Sequence, residues 1–413
     1  MIPTNPQQPV DITFRQPAQP RVPAQQGVLE ERWLHKIFLF THIPATWGAE
    51  RLALLLLAGG FLTWIAWLPV GSAGVAAGLY LLFAGSDWAL LSWLPRSGRS
   101  FGPVGPQLLV QTMPRLAAAG LSAILAWLFD SVSGGLLLLT LLQLFGSGVY
   151  LWGMLVEPFA LGLGGQTVQP AAWNGRAARP FRLLHLSDLH VERLTRREAK
   201  LLDLIDQARP DLIVFTGDFL NLSYVEDPTA RDEVRRVLGQ LRAPYGVFAT
   251  LGSPPVDLRH VAPSLLADFD IRLLRDEVAV VNLPDGRKLS LIGMDCEHDL
   301  VSDESALQQL LAVTPADSAR VLLYHSPELM PVARTLPLDL YLCGHTHGGQ
   351  IRLPGYGAIL TSSVTGKRYE AGRYDEQGTT LYVSRGIGLE GLSAPRMRLL
   401  CPPEIVLWEL GHG

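Results

Sequence analysis

Cysteine is scarce, with Cys296, Cys343 and Cys401 the only three in 413 residues. None has Cys-x-x-Cys spacing. An odd, sparse set argues against a disulfide scaffold and suits a reducing compartment, so three buried thiols are expected. Charge is scarce as well. Charged residues make up 17%, where soluble proteins carry about 25%. No basic stripe is visible, and the net charge is -4. Nucleic-acid binders present a basic face, so neither DNA nor RNA is expected as a partner. No apolar run begins near the N-terminus and no twin-arginine pattern occurs, so a secretory leader is not expected.

What is abundant is apolar. Hydrophobic residues reach 48% and the mean hydropathy is +0.22. Four stretches hold much of this, at residues 52–70, 73–94, 116–129 and 134–156. A helix needs about 20 residues to cross a bilayer. The first, second and fourth reach that length. The third does so only if residues 113–115 and 130–131 lie in the interface. Arg32, Lys36 and Arg51 precede the first stretch. Arg96, Arg99 and Arg115 lie between the second and third, and Arg176, Arg179 and Arg182 follow the fourth. The connections near Gly71 and Ser131 carry no Lys or Arg. Because cytoplasmic loops hold the excess of these residues, both termini are expected in the cytoplasm of a multi-pass inner-membrane protein. Failure of the third stretch to span would put the C-terminal domain on the other side. His35 and His42 are expected at the interface. Trp47, Trp64, Trp67, Trp88 and Trp93 sit mostly near stretch ends, as an aromatic belt would. Asp87 is the one acid inside a stretch. Intramembrane charges often mark transport paths, but pairing with Ser86 or backbone in a bundle is the simpler use.

The chain therefore divides into a Pro- and Gln-rich disordered tail (1–30), a transmembrane helical region (31–157), a Gly-, Ala- and Pro-bearing linker (158–180) and a soluble domain (181–413). In that domain, short apolar runs at 182–186, 212–216, 246–251, 289–293, 321–324, 338–343, 379–383 and 404–408 read as strands. Residues 195–208 and 229–241 have helical spacing. The alternation predicts an α/β sandwich with mixed sheets.

Four of those strands end in metal-binding side chains. Asp188 and His190 follow the first, Gly217-Asp218 the second, His325 the fifth, and Gly344-His345-Thr346-His347 the sixth. α/β sheets place ligand sites at strand ends. Residues i and i+2 of an extended segment point the same way, so Asp188 and His190 can hold one ion, and His345 and His347 can act at one locus. Mixed imidazole and carboxylate ligands suit Mn, Fe or Zn. Two ions about 3.5–4 Å apart clamp a phosphoryl group and acidify a water.

These motifs resemble those of the calcineurin-like metallophosphoesterases, over roughly residues 181–410. The Gly348-Gly349-Gln350 run and Cys401-Pro402-Pro403-Glu404-Ile405 look like the bacterial membrane-associated branch. The resemblance implies a four-layer αββα sandwich and two divalent ions (Mn, Fe or Zn). Asp188, His190 and His347 would hold the first, Asp218 would bridge, and His325 and His345 would hold the second. One segment departs. The family has Gly-Asn-His-Asp or Gly-Asn-His-Glu after the third strand, where Asn binds the second metal and His is the general acid. This chain has Gly252-Ser253-Pro254-Pro255. The second site is thus short of a ligand, and Pro254 cannot transfer a proton. Three consequences stay open. Asp257 or His260 folds back to substitute; catalysis is lost and binding kept; or the substrate's leaving group needs no proton.

Among other residues, His185 reads as core or as support for the site. Asn221 reads as a loop cap or a group reaching the site. His298, with Asp295 and Glu297, reads as a solvated loop. Residues 386–398, with Arg396 and Arg398, read as a basic loop or a lipid contact. The expectation is a membrane-anchored phosphoesterase acting by a metal-activated water on a phosphodiester or pyrophosphate bond of a phosphorylated small molecule or lipid-linked substrate. UDP-diacylglucosamine hydrolases are among the membrane-associated relatives. The rivals are a sensor or scaffold that binds metal and a phosphorylated ligand without turnover, and a transporter-like role for the spans.

Overall fold

The structure is a computed structural model that describes residues 11–17, 21, 33–97, 101–175, 179–393 and 395–411. It contains two compact units. One is helical and combines Glu30–Glu157 with Glu390–Leu399. The other is α/β and holds the remaining described residues.

The helical unit carries Ala49–Trp67, Ala73–Arg96, Val104–Leu128 and Val132–Leu155. All four are long and apolar enough to cross a membrane. Many large apolar side chains face outward, including Leu54, Phe61, Leu82, Ile124, Leu137 and Phe145. The interior is built from small residues instead. Ala76, Ala119, Ala123 and Ala126 pack around Trp67 and Leu139, and Gly59 lies directly against the Tyr80 ring. Small residues let helix backbones approach closely. Trp67 is thus no interfacial belt residue: it is fully buried, and its Nε1 donates to Ala119 O at 3.1 Å.

Three expectations change here. The third helix spans 25 residues and begins at Val104, because buried Gln107, Gln111 and Thr112 belong to it. Arg115 is therefore mid-helix, not in a loop. Its Nη2 meets Asp87 Oδ1 at 2.6 Å, its Nη1 meets Gln143 Oε1 at 2.7 Å, and Nη2 also meets Ser147 Oγ at 3.0 Å. Asp87 finds an arginine rather than Ser86. The connection between the second and third helices keeps Arg96; Arg99, like Arg32 and Arg176, lies outside the described residues. Residues 386–398, expected as a basic loop or a lipid contact, do not present their arginines to the surface. Arg396 and Arg398 are fully buried, with backbone amides bonded to Gln107 Oε1 at 3.1 Å and Gly153 O at 2.9 Å.

The α/β unit stacks two sheets between helices. One sheet has six strands, in the spatial order Gly162–Val168, Glu404–Leu410, Phe181–Leu186, Leu212–Phe215, Val247–Ala249, Ile271–Leu273. The other has seven: Asp11–Arg15, Glu277–Asn282, Lys288–Gly293, Ala319–Leu323, Leu340–Cys343, Thr379–Val383, Gly372–Glu376. Both mix parallel and antiparallel pairs. Side chains of alternate residues face opposite ways along a strand. Leu183, Val214, Phe248 and Trp408 meet Val281, Leu291, Val321 and Leu342 between the sheets. Leu184, Leu186, Ile213 and Phe215 pack outward under the helices Arg196–Ala208 and Pro228–Leu238. On the far side, Val280, Ile292 and Leu322 pack under Leu300–Val313. This is the four-layer αββα sandwich.

Two segments expected to lack structure contribute edge strands. Asp11–Arg15 pairs antiparallel with Glu277–Asn282, while the rest of the expected tail, at 1–10, 18–20 and 22–30, lies outside the described residues apart from Gln16, Pro17 and Arg21. Within the expected linker, Gly162–Val168 pairs in parallel with Glu404–Leu410. Its Gly-rich sequence carries no alternating pattern, because backbone pairing rather than side-chain burial builds it. Trp173 then anchors the segment, buried beside the inter-sheet core and donating from Nε1 to Lys288 O at 3.0 Å.

Candidate metal centre

Parallel strands run their C-terminal ends to one side of a sheet, and the following turns converge there. Phe181–Leu186 delivers Asp188 and His190; Leu212–Phe215 delivers Asp218; Val247–Ala249 delivers Ser253; Ala319–Leu323 delivers His325; Leu340–Cys343 delivers His345 and His347. All are buried. Asp188, His190, Asp218, His345 and His347 all hold left-handed backbone, with φ of 51°, 43°, 62°, 69° and 51°. Non-glycine residues rarely adopt this region, and such strain collects at functional sites. Glycines make the close approaches possible. A Cβ at Gly252 would collide with Asp218 Oδ1, and one at Gly344 with Asp188 Oδ2.

The predicted residues come together. His190 Nε2 lies 2.9 Å from His347 Nε2 and 3.4 Å from Asp218 Oδ2. His347 Nε2 lies 3.5 Å from Asp188 Oδ1. His325 Nε2 lies 3.2 Å from Asp218 Oδ2 and 4.0 Å from Asp188 Oδ1. Asp188, His190 and His347 form one group whose ligand atoms all fall within 4.8 Å of one another, and Asp188, Asp218 and His325 form a second. Backbone bonds fix the ring orientations. His190 Nδ1 contacts Leu220 O at 3.2 Å and His325 Nδ1 contacts Thr216 O at 2.7 Å, so each turns Nε2 inward.

This set fits divalent cations. His190 and His347 turn their Nε2 atoms toward one another at 2.9 Å, as two imidazole ligands of one ion would. Asp188 Oδ2 is buried with no hydrogen-bond partner among the described residues. Buried carboxylates demand positive charge, and the titration behaviour agrees. Burial, with the neighbouring Asp218 charge, lifts Asp188 against the pull of His325 and His190, but at Asp218 the surrounding His325, His190 and His345 outweigh burial and hold its carboxyl below the usual range. Against burial, Asp218 and Asp188 lift His325 to about 10. Burial, then His298 and His325, push His345 down to about 3.

The other residues sort plainly. His185 is buried on the inter-sheet face, with Nε2 against Thr216 Oγ1 at 2.9 Å, and burial lowers it to about 3; it is core. Asn221 caps its loop, accepting from Ser223 N at 2.9 Å and donating to Leu389 O at 2.8 Å. Asp257 is no substitute ligand. Its carboxylate accepts from the amides of Asp218, Phe219 and Gly252 at 2.8, 3.0 and 2.7 Å and so braces the Asp218 turn. His260 is exposed. Sequence reasoning missed His298. It is no solvated loop residue but is 1% exposed. Its ring stands 4.8 Å from that of His345. Its φ of 57° puts it in the same left-handed region as the five residues above.

A sandwich with histidines and aspartates at these strand ends is the architecture of a metal-using phosphoesterase. The model of the calcineurin-like phosphoesterase family matches residues 181–253. The uncharacterized metallophosphoesterase YkuE of Bacillus subtilis is 32% identical over 237 residues, covering 56% of this chain and 79% of that protein. The phosphodiesterase YaeI of Escherichia coli is 31% identical, covering 56% and 83%. The UDP-2,3-diacylglucosamine pyrophosphatase LpxG of Chlamydia trachomatis is 24% identical, covering 55% and 82%. The chain belongs to the calcineurin-like phosphoesterase family, whose members hydrolyse phosphoesters and use divalent metals.

Proposed function

We propose that this protein is a membrane-anchored phosphoesterase that hydrolyses a phosphodiester or pyrophosphate bond, with a lipid-linked phosphate as its substrate class. The observation that carries the reading is the convergence of Asp188, His190, Asp218, His325 and His347 at one buried locus, with the His345 ring 5.2 Å from that of His325. Asp188, His190 and His347 would hold one ion, His325 and His345 would serve the other, and the Asp218 carboxylate would be shared between them. When bound, two divalent ions polarise the phosphoryl oxygens and generate a nucleophile from water at neutral pH. The protein's part is to fix the ligand rings through Leu220 O and Thr216 O and to hold Asp218 in its strained turn. The four apolar helices support a membrane anchor. The placement of Arg51, Arg96, Arg179 and Arg182 supports a cytoplasmic α/β unit, in an inner-membrane setting.

Pro254 supplies no proton, so a leaving group that departs as a stable anion fits this site best. A pyrophosphate bond meets that condition, and relatives named as a pyrophosphatase and a phosphodiesterase act on bonds of these two kinds. The same replacement favours one other reading, a metal-binding sensor without turnover. Full-length protein in detergent, loaded with Mn, separates the two. Hydrolysis of an aryl phosphodiester or a pyrophosphate diester, abolished by chelator and by Asp218→Asn, supports the enzyme. Stoichiometric metal with no turnover on either substrate supports the sensor.

A further inference from the structure

Ser253 leaves the second ion one ligand short, and the structure brings a histidine to the gap. Ser253 Oγ lies 3.1 Å from His298 Nε2 and 3.3 Å from His345 Nδ1. His298 comes from the turn after Lys288–Gly293, a strand that bears no ligand in the motif pattern. We propose that His298 Nε2 replaces the absent asparagine as a ligand of the second ion, with Glu328 orienting it. This rests on the dimetal reading above.

Three independent observations carry it. First, His298 Nδ1 meets Glu328 Oε2 at 3.1 Å, and both side chains are fully buried. A carboxylate only accepts, so Nδ1 carries the ring proton and Nε2 turns its lone pair toward Ser253 and His345. A carboxylate on the far nitrogen is the usual companion of a metal-bound histidine. Second, Glu328 is itself fixed, because its Oε1 accepts from Val364 N at 2.9 Å. Third, His298, Glu328 and His345 offer ligand atoms that all lie within 4.8 Å of one another. Cys296 Sγ also lies near Nε2, at 3.5 Å.

Imidazole reaches farther than a serine hydroxyl and is the better donor to Mn, Fe or Zn. A small residue at 253 is then required, since Ser253 sits between the two rings. The Gly-Ser-Pro-Pro segment and His298 become parts of one replacement: the ligand moved to another strand and the old position shrank.

The test is metal binding by the full-length protein in detergent, stripped and titrated with Mn. Elemental analysis gives stoichiometry and electron paramagnetic resonance gives the coupling between neighbouring ions. Wild type is expected to bind two ions with a coupled spectrum. His298→Ala is expected to keep the first and bind the second at least 10-fold more weakly, losing the coupling. Glu328→Gln is expected to weaken the second about 10–100-fold. Ser253→Asn added to His298→Ala is expected to restore the second ion, which a merely structural histidine would not allow. Thermal melts of the metal-free variants check folding. Two tightly bound ions in His298→Ala overturn the inference and leave the dimetal reading standing. Loss of both ions in His298→Ala, or no rescue by Ser253→Asn, assigns His298 to the fold and overturns it. A wild type with no bound Mn overturns the dimetal reading and the inference together.

Discussion

Replacing Arg115 by Met should destabilise the helical unit severely, and replacing Asp87 as well should undo the damage. Arg115 and Asp87 are 3% and 5% exposed, on helices surrounded by outward-facing Leu, Ile and Phe. Their guanidinium–carboxylate contact at 2.6 Å is extended by Gln143 and Ser147. Gln143 closes the network by donating to Arg115 O at 3.1 Å. Removing one partner of a buried pair costs about 3–5 kcal/mol, because the other charge stays buried without compensation. For a unit of this size that is a fall in Tm of roughly 6–20 °C. Replacing both charges with apolar residues of like volume is neutral or stabilising by about 1–4 kcal/mol. Full-length wild type, Arg115→Met, Asp87→Leu and the double variant would be heated in detergent and the folded fraction read by fluorescence-detected gel filtration. The expected order puts both single variants well below wild type and the double variant level with it or above. A double variant as unstable as the singles would refute a purely structural pair and show that the charges do other work in the bundle.

Further outcomes follow from the α/β unit. Pro254→His should restore a proton donor where none stands, raising turnover of an alkyl phosphodiester by about 10²–10⁴-fold, or about 2.7–5.4 kcal/mol of barrier. Turnover of a matched aryl ester should change far less, and an equal change for both esters would contradict the leaving-group argument. Asp276 and Asp303 are lifted to about 6, chiefly by burial and against the pull of Arg21. A carboxyl raised in the fold above its ordinary value favours the folded state at low pH and loses that contribution as pH rises through about 6. Lowering the pH from 8 to 5 should therefore stabilise wild type over the Asp276→Asn, Asp303→Asn double variant by on the order of 1 kcal/mol per carboxyl. Parallel pH profiles of the two melting temperatures would remove that assignment.

The parts of the site legible in the sequence were those encoded locally. Asp188 and His190, and His345 and His347, stand two apart in the turns that end apolar runs, although left-handed backbone in those turns, rather than strand alternation, aims them into the site. His298 was illegible for the opposite reason. Its partners Ser253, Glu328 and His345 lie 45, 30 and 47 residues away, and only the sheet order brings its turn to theirs. Asp295 and Glu297 beside it made the segment look solvated. Edge strands were hidden in a similar way. Asp11–Arg15 and Gly162–Val168 bury few side chains, so no period marks them. Glu277–Asn282 had the right composition, but its neighbours Ile271–Leu273 and Lys288–Gly293 crowd it in sequence. In the helical unit, polar residues at Gln107, Gln111 and Arg115 cut the third apolar run short on paper. In the structure all three lie on one helix and turn inward, Gln107 to Arg396 N, Gln111 to Met154 and Arg115 to Asp87 and Gln143.

Anomalous diffraction from Mn-loaded crystals tests the dimetal centre most directly. Two peaks roughly 3.5–4 Å apart are expected, one among Asp188, His190 and His347, the other between His325 and His345 with Asp218 shared. A single peak, or density away from these side chains, would contradict it.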